Sequence, residues 1–182
     1  MPEPVTIDLT LGDEAATGRL AAAIAALARP GDVIALAGDL GGGKTSFARA
    51  FINALPRPEG DGAEHAPPRP DGDDAEEVPS PTFTLVQVYE RAPAPVWHFD
   101  LYRLQQAEEA YELGLEEALA TGIVLIEWPE RLGALLPADH LRVALDFGAT
   151  PGQRHAGLTG HGAWAERLVS ASLESGQVSS TP

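Results

Sequence analysis

The feature that most restricts this chain is a glycine loop, Gly38-Asp39-Leu40-Gly41-Gly42-Gly43-Lys44-Thr45, which fits G-x-x-x-x-G-K-[ST] position for position. It follows Val33-Ile34-Ala35-Leu36-Ala37, a short apolar run with the look of a buried strand. It precedes Ser46 to Leu55, where Phe47, Ala50, Phe51 and Ala54 recur at helical spacing. Strand, glycine loop and helix together are the context in which such a loop cradles phosphate. Its backbone N–H groups must turn inward, which demands positive φ and no Cβ, and the helix adds its N-terminal dipole. Lys44 is suited to the β- and γ-phosphates and Thr45 to Mg²⁺, so the expected nucleotide contacts run from Gly38 through Ser46.

Composition sharpens the reading. Of the 12 basic residues only Lys44 is a lysine; the others are arginines. The guanine-reading N-K-x-D motif needs a second lysine, so ATP is expected rather than GTP. A net charge of -15 argues against a protein that holds nucleic acid by neutralising its phosphates. The absence of Cys excludes a disulfide framework and thiol chemistry. No basic residue precedes Arg19 and no apolar run approaches the ~20 residues of a membrane span. The expectation is a cytoplasmic, single-domain protein over 1–182, with an α/β, P-loop-like, three-layer fold around a mixed sheet.

Residues 56–79 hold six Pro, three Gly and eight acidic residues, and are expected to be a disordered acidic insertion. Residues 175–182 read as a frayed tail. Helices are expected over 13–28, 108–120 and 163–173. A hairpin is expected across Arg91-Ala92-Pro93, and strands over 123–126, 141–147 and 155–159.

An Mg²⁺-dependent nucleotide hydrolase needs a strand-end acid near its loop. Glu127, after Ile123 to Ile126, is assigned to Mg²⁺. Asp100, after Val96 to Phe99, is assigned to water positioning or general base, and on sequence the two roles can be exchanged. Ser80-Pro81-Thr82-Phe83-Thr84 is placed to sense the γ-phosphate. His98 reads as a hydrogen-bonded, half-buried histidine, and Trp97 and Trp128 as core or rim aromatics. Arg91, Arg103, Arg131 and Arg154 are the arginines nearest the proposed site; any of them could touch phosphate, and most are expected to be solvated or paired with acids.

Taken in order, GDLGGGKTSFARAF, SPTFTLVQVY, HFDLYRL and IEWPERL resemble the TsaE (YjeE) family of small bacterial P-loop ATPases, over about 10–147. The acidic insertion departs from the family pattern. The resemblance implies an ATPase acting with TsaB and TsaD to install N6-threonylcarbamoyl on the adenosine beside the anticodon. The charge of -15, with no lysine patch, adds the expectation that tRNA is met only through that complex. By the same resemblance Lys44 lies on phosphate, Thr45 and Glu127 hold Mg²⁺, Asp100 supports hydrolysis, and Thr82 and Trp128 match family motifs, Thr82 as the switch residue. Two other readings of the residues stand beside it: a small kinase phosphorylating a metabolite, and a nucleotide-gated assembly module.

Overall fold

The structure, a computed structural model, describes residues 3–58 and 76–174. Chain order is β1 (Val5–Leu11), α1 (Glu14–Leu27), β2 (Val33–Ala37), α2 (Lys44–Ala54), β3 (Val86–Tyr89) and β4 (Val96–Asp100). It continues with α3 (Glu109–Glu112), α4 (Leu115–Thr121), β5 (Ile123–Glu127), a 3-10 segment (Pro129–Leu135), β6 (Leu141–Phe147), β7 (Arg154–Gly160) and α5 (Ala163–Glu174). Seven strands form one sheet in the order β1-β7-β6-β2-β5-β4-β3. β2 lies parallel to β5 and β6, and β4 parallel to β5; β1–β7, β6–β7 and β3–β4 are antiparallel. The expected mixed α/β sheet is therefore what forms.

The apolar runs dictate the middle of it. Every residue of β2 and of β5 is buried, as parallel strands covered on both faces require. One core joins the sheet to Ile24 of α1, Phe47 and Phe51 of α2 and Trp164 of α5. The second, on the opposite face, joins Phe99, Val124 and Ile126 to Ala110 of α3, Leu115 and Ala118 of α4 and Leu132 of the 3-10 segment. Asp13 caps α1 by accepting a 2.7 Å bond from the Ala16 N–H.

Two expectations are corrected and one strand is added. The helix expected over 108–120 is two short helices, because the chain turns left-handed at Gly114 (φ 85°), beside the Trp97 ring. Residues 5–11 form an edge strand paired with β7, which composition did not suggest. The stretch expected to be loose from 56 to 79 is docked at its end: Val78 is fully buried, and Asn53 exchanges two 3.0 Å bonds with the Glu76 backbone. Residues 59–75 of that insertion and the 175–182 tail lie outside the described residues. Among the described residues no helix is long and apolar enough to cross a membrane.

Candidate nucleotide-binding site

β2 ends at Ala37 and the backbone swings over the end of β6. Gly38 adopts φ 131°, and a Cβ there would sit 2.1 Å from the Leu145 carbonyl. A Cβ on Gly42 would lie 2.9 Å from both the Asp39 and Leu145 carbonyls. Side chains are excluded from this cradle, which leaves its lining to backbone amides. The Gly42 N–H closes the turn on the Asp39 carbonyl at 3.0 Å. Gly43, left-handed at φ 107°, starts α2 with no side-chain cap, so the orphan N–H groups of the first turn stay available to an anion.

Lys44 is buried at the mouth of this cradle. Its Nζ donates to the Gly38 carbonyl at 2.7 Å and the Asp39 carbonyl at 2.8 Å, and lies 4.0 Å from the centroid of the Trp128 ring. Burial lowers its pKa from the usual 10.5; the charges of Glu127, Asp100, Glu130 and Asp39 oppose that shift. Trp128 takes a left-handed φ of 61°, and its ring centroid lies 4.9 Å from that of Tyr102.

The register of β4 against β5 pairs Asp100 with Glu127 at the strand ends. The two carboxylates have different company. Glu127 accepts from Thr45 Oγ1 at 3.0 and 3.1 Å, and its Oε1 lies 2.9 Å from His98 Nε2. Asp100 Oδ2 accepts from the Ser80 hydroxyl and, at 3.2 Å, from Thr82 Oγ1; its Oδ1 accepts the Tyr102 N–H at 3.1 Å. Ser80 and Thr82 are themselves 2.8 Å apart. Glu127 is thus the acid the fold sets against the glycine loop, and Asp100 the acid set against the hydroxyl segment. Among the described residues no three or more His, Asp or Glu side chains form a metal cage. Two hard oxygens beside phosphate-directed amides suit Mg²⁺ instead, an ion bound by one or two protein oxygens plus substrate phosphate.

Other sequence-singled residues separate. Ser46 turns its hydroxyl to Glu14 of α1 at 3.0 Å, and Leu40 projects outward, 77% exposed. His98 is not half-buried but fully so, with Nδ1 unpartnered. Arg91 is buried away from the loop on the Ile52 carbonyl and Glu76, and Arg103 stacks over Phe83 at 4.6 Å. Arg154 alone of these four bonds to the loop, at the Gly41 and Gly42 carbonyls. The link from His98 to Glu127 was not read from sequence; the H-x-D spacing that puts both side chains on one strand face was the available signal.

Strand, glycine loop, helix and a flanking acid on a mixed sheet define an α/β protein of the P-loop class. The model of the family described as "Threonylcarbamoyl adenosine biosynthesis protein TsaE" matches residues 11–155. The chain is 39% identical over 137 residues to the "tRNA threonylcarbamoyladenosine biosynthesis protein TsaE" of Rickettsia conorii, covering 75% of this chain and 69% of that one. It is 35% identical over 130 residues to the protein of the same name from Bacillus subtilis, covering 71% and 70%. The crystal structure of Bacillus subtilis YdiB superposes with a TM-score of 0.70 at 26% identity, covering 96% of this chain and 99% of that one. The chain belongs to the TsaE family.

Proposed function

We propose that this protein binds ATP at residues 38–46 and hydrolyses it with Mg²⁺. Through that cycle it supports threonylcarbamoyladenosine modification next to the tRNA anticodon, with TsaB- and TsaD-like partners in the cytoplasm. The observation that carries the nucleotide reading is the convergence of Lys44, Thr45 and Glu127 at the open amides of the glycine loop. The names of the relatives supply the pathway. With a net charge of -15, contact with tRNA is assigned to the complex and not to this chain alone.

The residues divide the work by position. Loop amides and the first turn of α2 receive the phosphates. Lys44 exchanges two backbone carbonyls for phosphate oxygens, which restores the solvation of its ammonium. Thr45 and Glu127 would hold Mg²⁺, whose charge neutralises the phosphate oxygens when bound. His98 keeps the Glu127 carboxylate oriented. Asp100, held by Ser80, Thr82 and the Tyr102 amide, orients water toward the γ-phosphate, and the segment that holds it is the element able to respond to that phosphate. Turnover by the chain alone is expected to be slow, with a partner completing the site by supplying the cation that stabilises the transferred group.

The test is calorimetry with MgADP, then ATP hydrolysis by the protein alone and with both partners and tRNA. Binding and partner-stimulated turnover, both lost in Lys44→Ala, are expected. Undiminished turnover by Lys44→Ala refutes the assignment.

A further inference from the structure

Arg154 opens β7 and faces Phe147 across the β6–β7 pairing, with its guanidinium 4.8 Å from the ring centroid. From this seat Nε donates to the Gly42 carbonyl at 3.1 Å and Nη2 to the Gly41 carbonyl at 3.3 Å. Nη1 donates to its neighbour's carbonyl, Gln153, at 2.9 Å. Among the described residues no carboxylate comes within ion-pair distance of this guanidinium. All its polar contacts are thus backbone carbonyls, and two of the three belong to the glycine loop.

A trans peptide sends its C=O and N–H in opposite directions. Drawing the Gly41 and Gly42 carbonyls outward onto Arg154 therefore turns the N–H groups of Gly42 and Gly43 inward. The first closes the turn on the Asp39 carbonyl at 3.0 Å; the second, on Gly43, donates to no acceptor among the described residues and is open to an anion. Three consecutive glycines, Gly41 to Gly43, have little intrinsic preference for that arrangement, so an external clamp is what selects it. The guanidinium also leaves an uncompensated positive charge behind an anion-directed loop in a strongly acidic chain.

We propose that Arg154 is a positioning residue of the nucleotide site: it holds the glycine loop with the Gly42 amide closing the turn and the Gly43 amide left for the phosphates. This rests on the nucleotide reading above. Because the clamp acts on bound phosphate in ground and transition states alike, its loss weakens binding and raises KM while leaving kcat nearly unchanged. A lysine at 154 keeps the charge and one carbonyl contact but not the fork.

The test compares wild-type protein with Arg154→Gln and Arg154→Lys. Titration with MgADP is expected to show Kd raised about tenfold in Arg154→Gln, the lower end for loss of a charged hydrogen-bond donor, and partly recovered in Arg154→Lys. KM for ATP should follow Kd, with kcat within about threefold. Ligand-free hydrogen exchange should be faster in peptides covering 38–46, while the melting temperature stays within about 2 °C, as for a half-buried side chain outside the core. Equal MgADP affinities for wild type and Arg154→Gln overturn the proposal. So does a loss of affinity that comes with a melting-temperature drop beyond about 5 °C and no recovery in Arg154→Lys. If wild-type protein fails to bind MgADP, the nucleotide reading falls, and the exchange comparison alone decides whether Arg154 holds the loop.

Discussion

Replacing His98 with leucine removes one hydrogen-bond donor from a buried carboxylate without opening a large cavity. His98 is fully buried, Glu127 nearly so, and the 2.9 Å Nε2–Oε1 contact is a hydrogen bond to an acid whose other donor among the described residues is the Thr45 hydroxyl. A hydrogen bond to a charged group contributes about 1.5–3 kcal/mol. Against that, the leucine also removes the unpartnered Nδ1, whose burial costs about 1 kcal/mol. The net expectation is a loss of about 0.5–2 kcal/mol. At roughly 2–4 °C per kcal/mol for a chain of this size, the melting temperature falls by several degrees. Urea unfolding of wild type, His98→Leu, Glu127→Gln and the double variant measures both the loss and its coupling. The coupling should approach about 1 kcal/mol, because Glu127→Gln leaves His98 an amide oxygen to donate to but removes the charge that strengthens the bond. A His98→Leu protein within about 0.5 kcal/mol of wild type, with additive effects in the double variant, refutes the reasoning.

Glu127→Gln should raise the Mg²⁺ concentration needed for half-maximal ATP hydrolysis by tenfold or more, a shift of about 1.4 kcal/mol, whereas Asp100→Asn should lower kcat with that concentration nearly unchanged. The reverse pattern in a metal titration exchanges the two roles. Gly38→Ala should abolish MgADP binding and destabilise the fold, since its Cβ meets the Leu145 carbonyl at 2.1 Å; wild-type melting with intact binding counts against the steric argument. The lowered pKa of Lys44 gives a pH signature. Phosphate favours its charged form, so MgADP affinity should fall as pH rises through a value below 10.5, and Lys44→Gln should lack that limb. In the ligand-free protein the same group has the opposite sign: its contribution to stability rises with pH between the lowered value and 10.5. An affinity that first falls above 10.5 contradicts the burial argument.

What could be read in advance depended on how local the signal was. Ile123 to Ile126 announces a covered strand because no alternation survives burial on both faces. The glycine loop announces itself because only glycine tolerates its approach to Leu145. β1 carried a legible period of two, with Thr6, Asp8 and Thr10 alternating against half-buried Val5, Ile7 and Leu9, but its acidic and polar residues masked it as a terminal segment. Trp128 shows the opposite limit. No local rule places a tryptophan at φ 61°; that geometry is set by its place between Lys44 and Tyr102.

The two acids mark where local signals stop. Sequence names Asp100 and Glu127 as strand-end carboxylates but leaves their roles exchangeable, since each follows an apolar run. Register separates them. Pairing Asp100 with Glu127 sends His98, two residues earlier, to the same face of the sheet as both acids. β5 lies beside β2, the strand that feeds the loop, and β4 lies one strand farther out. The acid on the inner strand therefore reaches Thr45, and the acid on the outer strand reaches the hydroxyls of Ser80 and Thr82. A slip of one residue in β4 would turn His98 and Asp100 to the other face and strand Glu127 without its donor. The different partners of the two carboxylates follow from strand order, which lies outside either residue's local sequence.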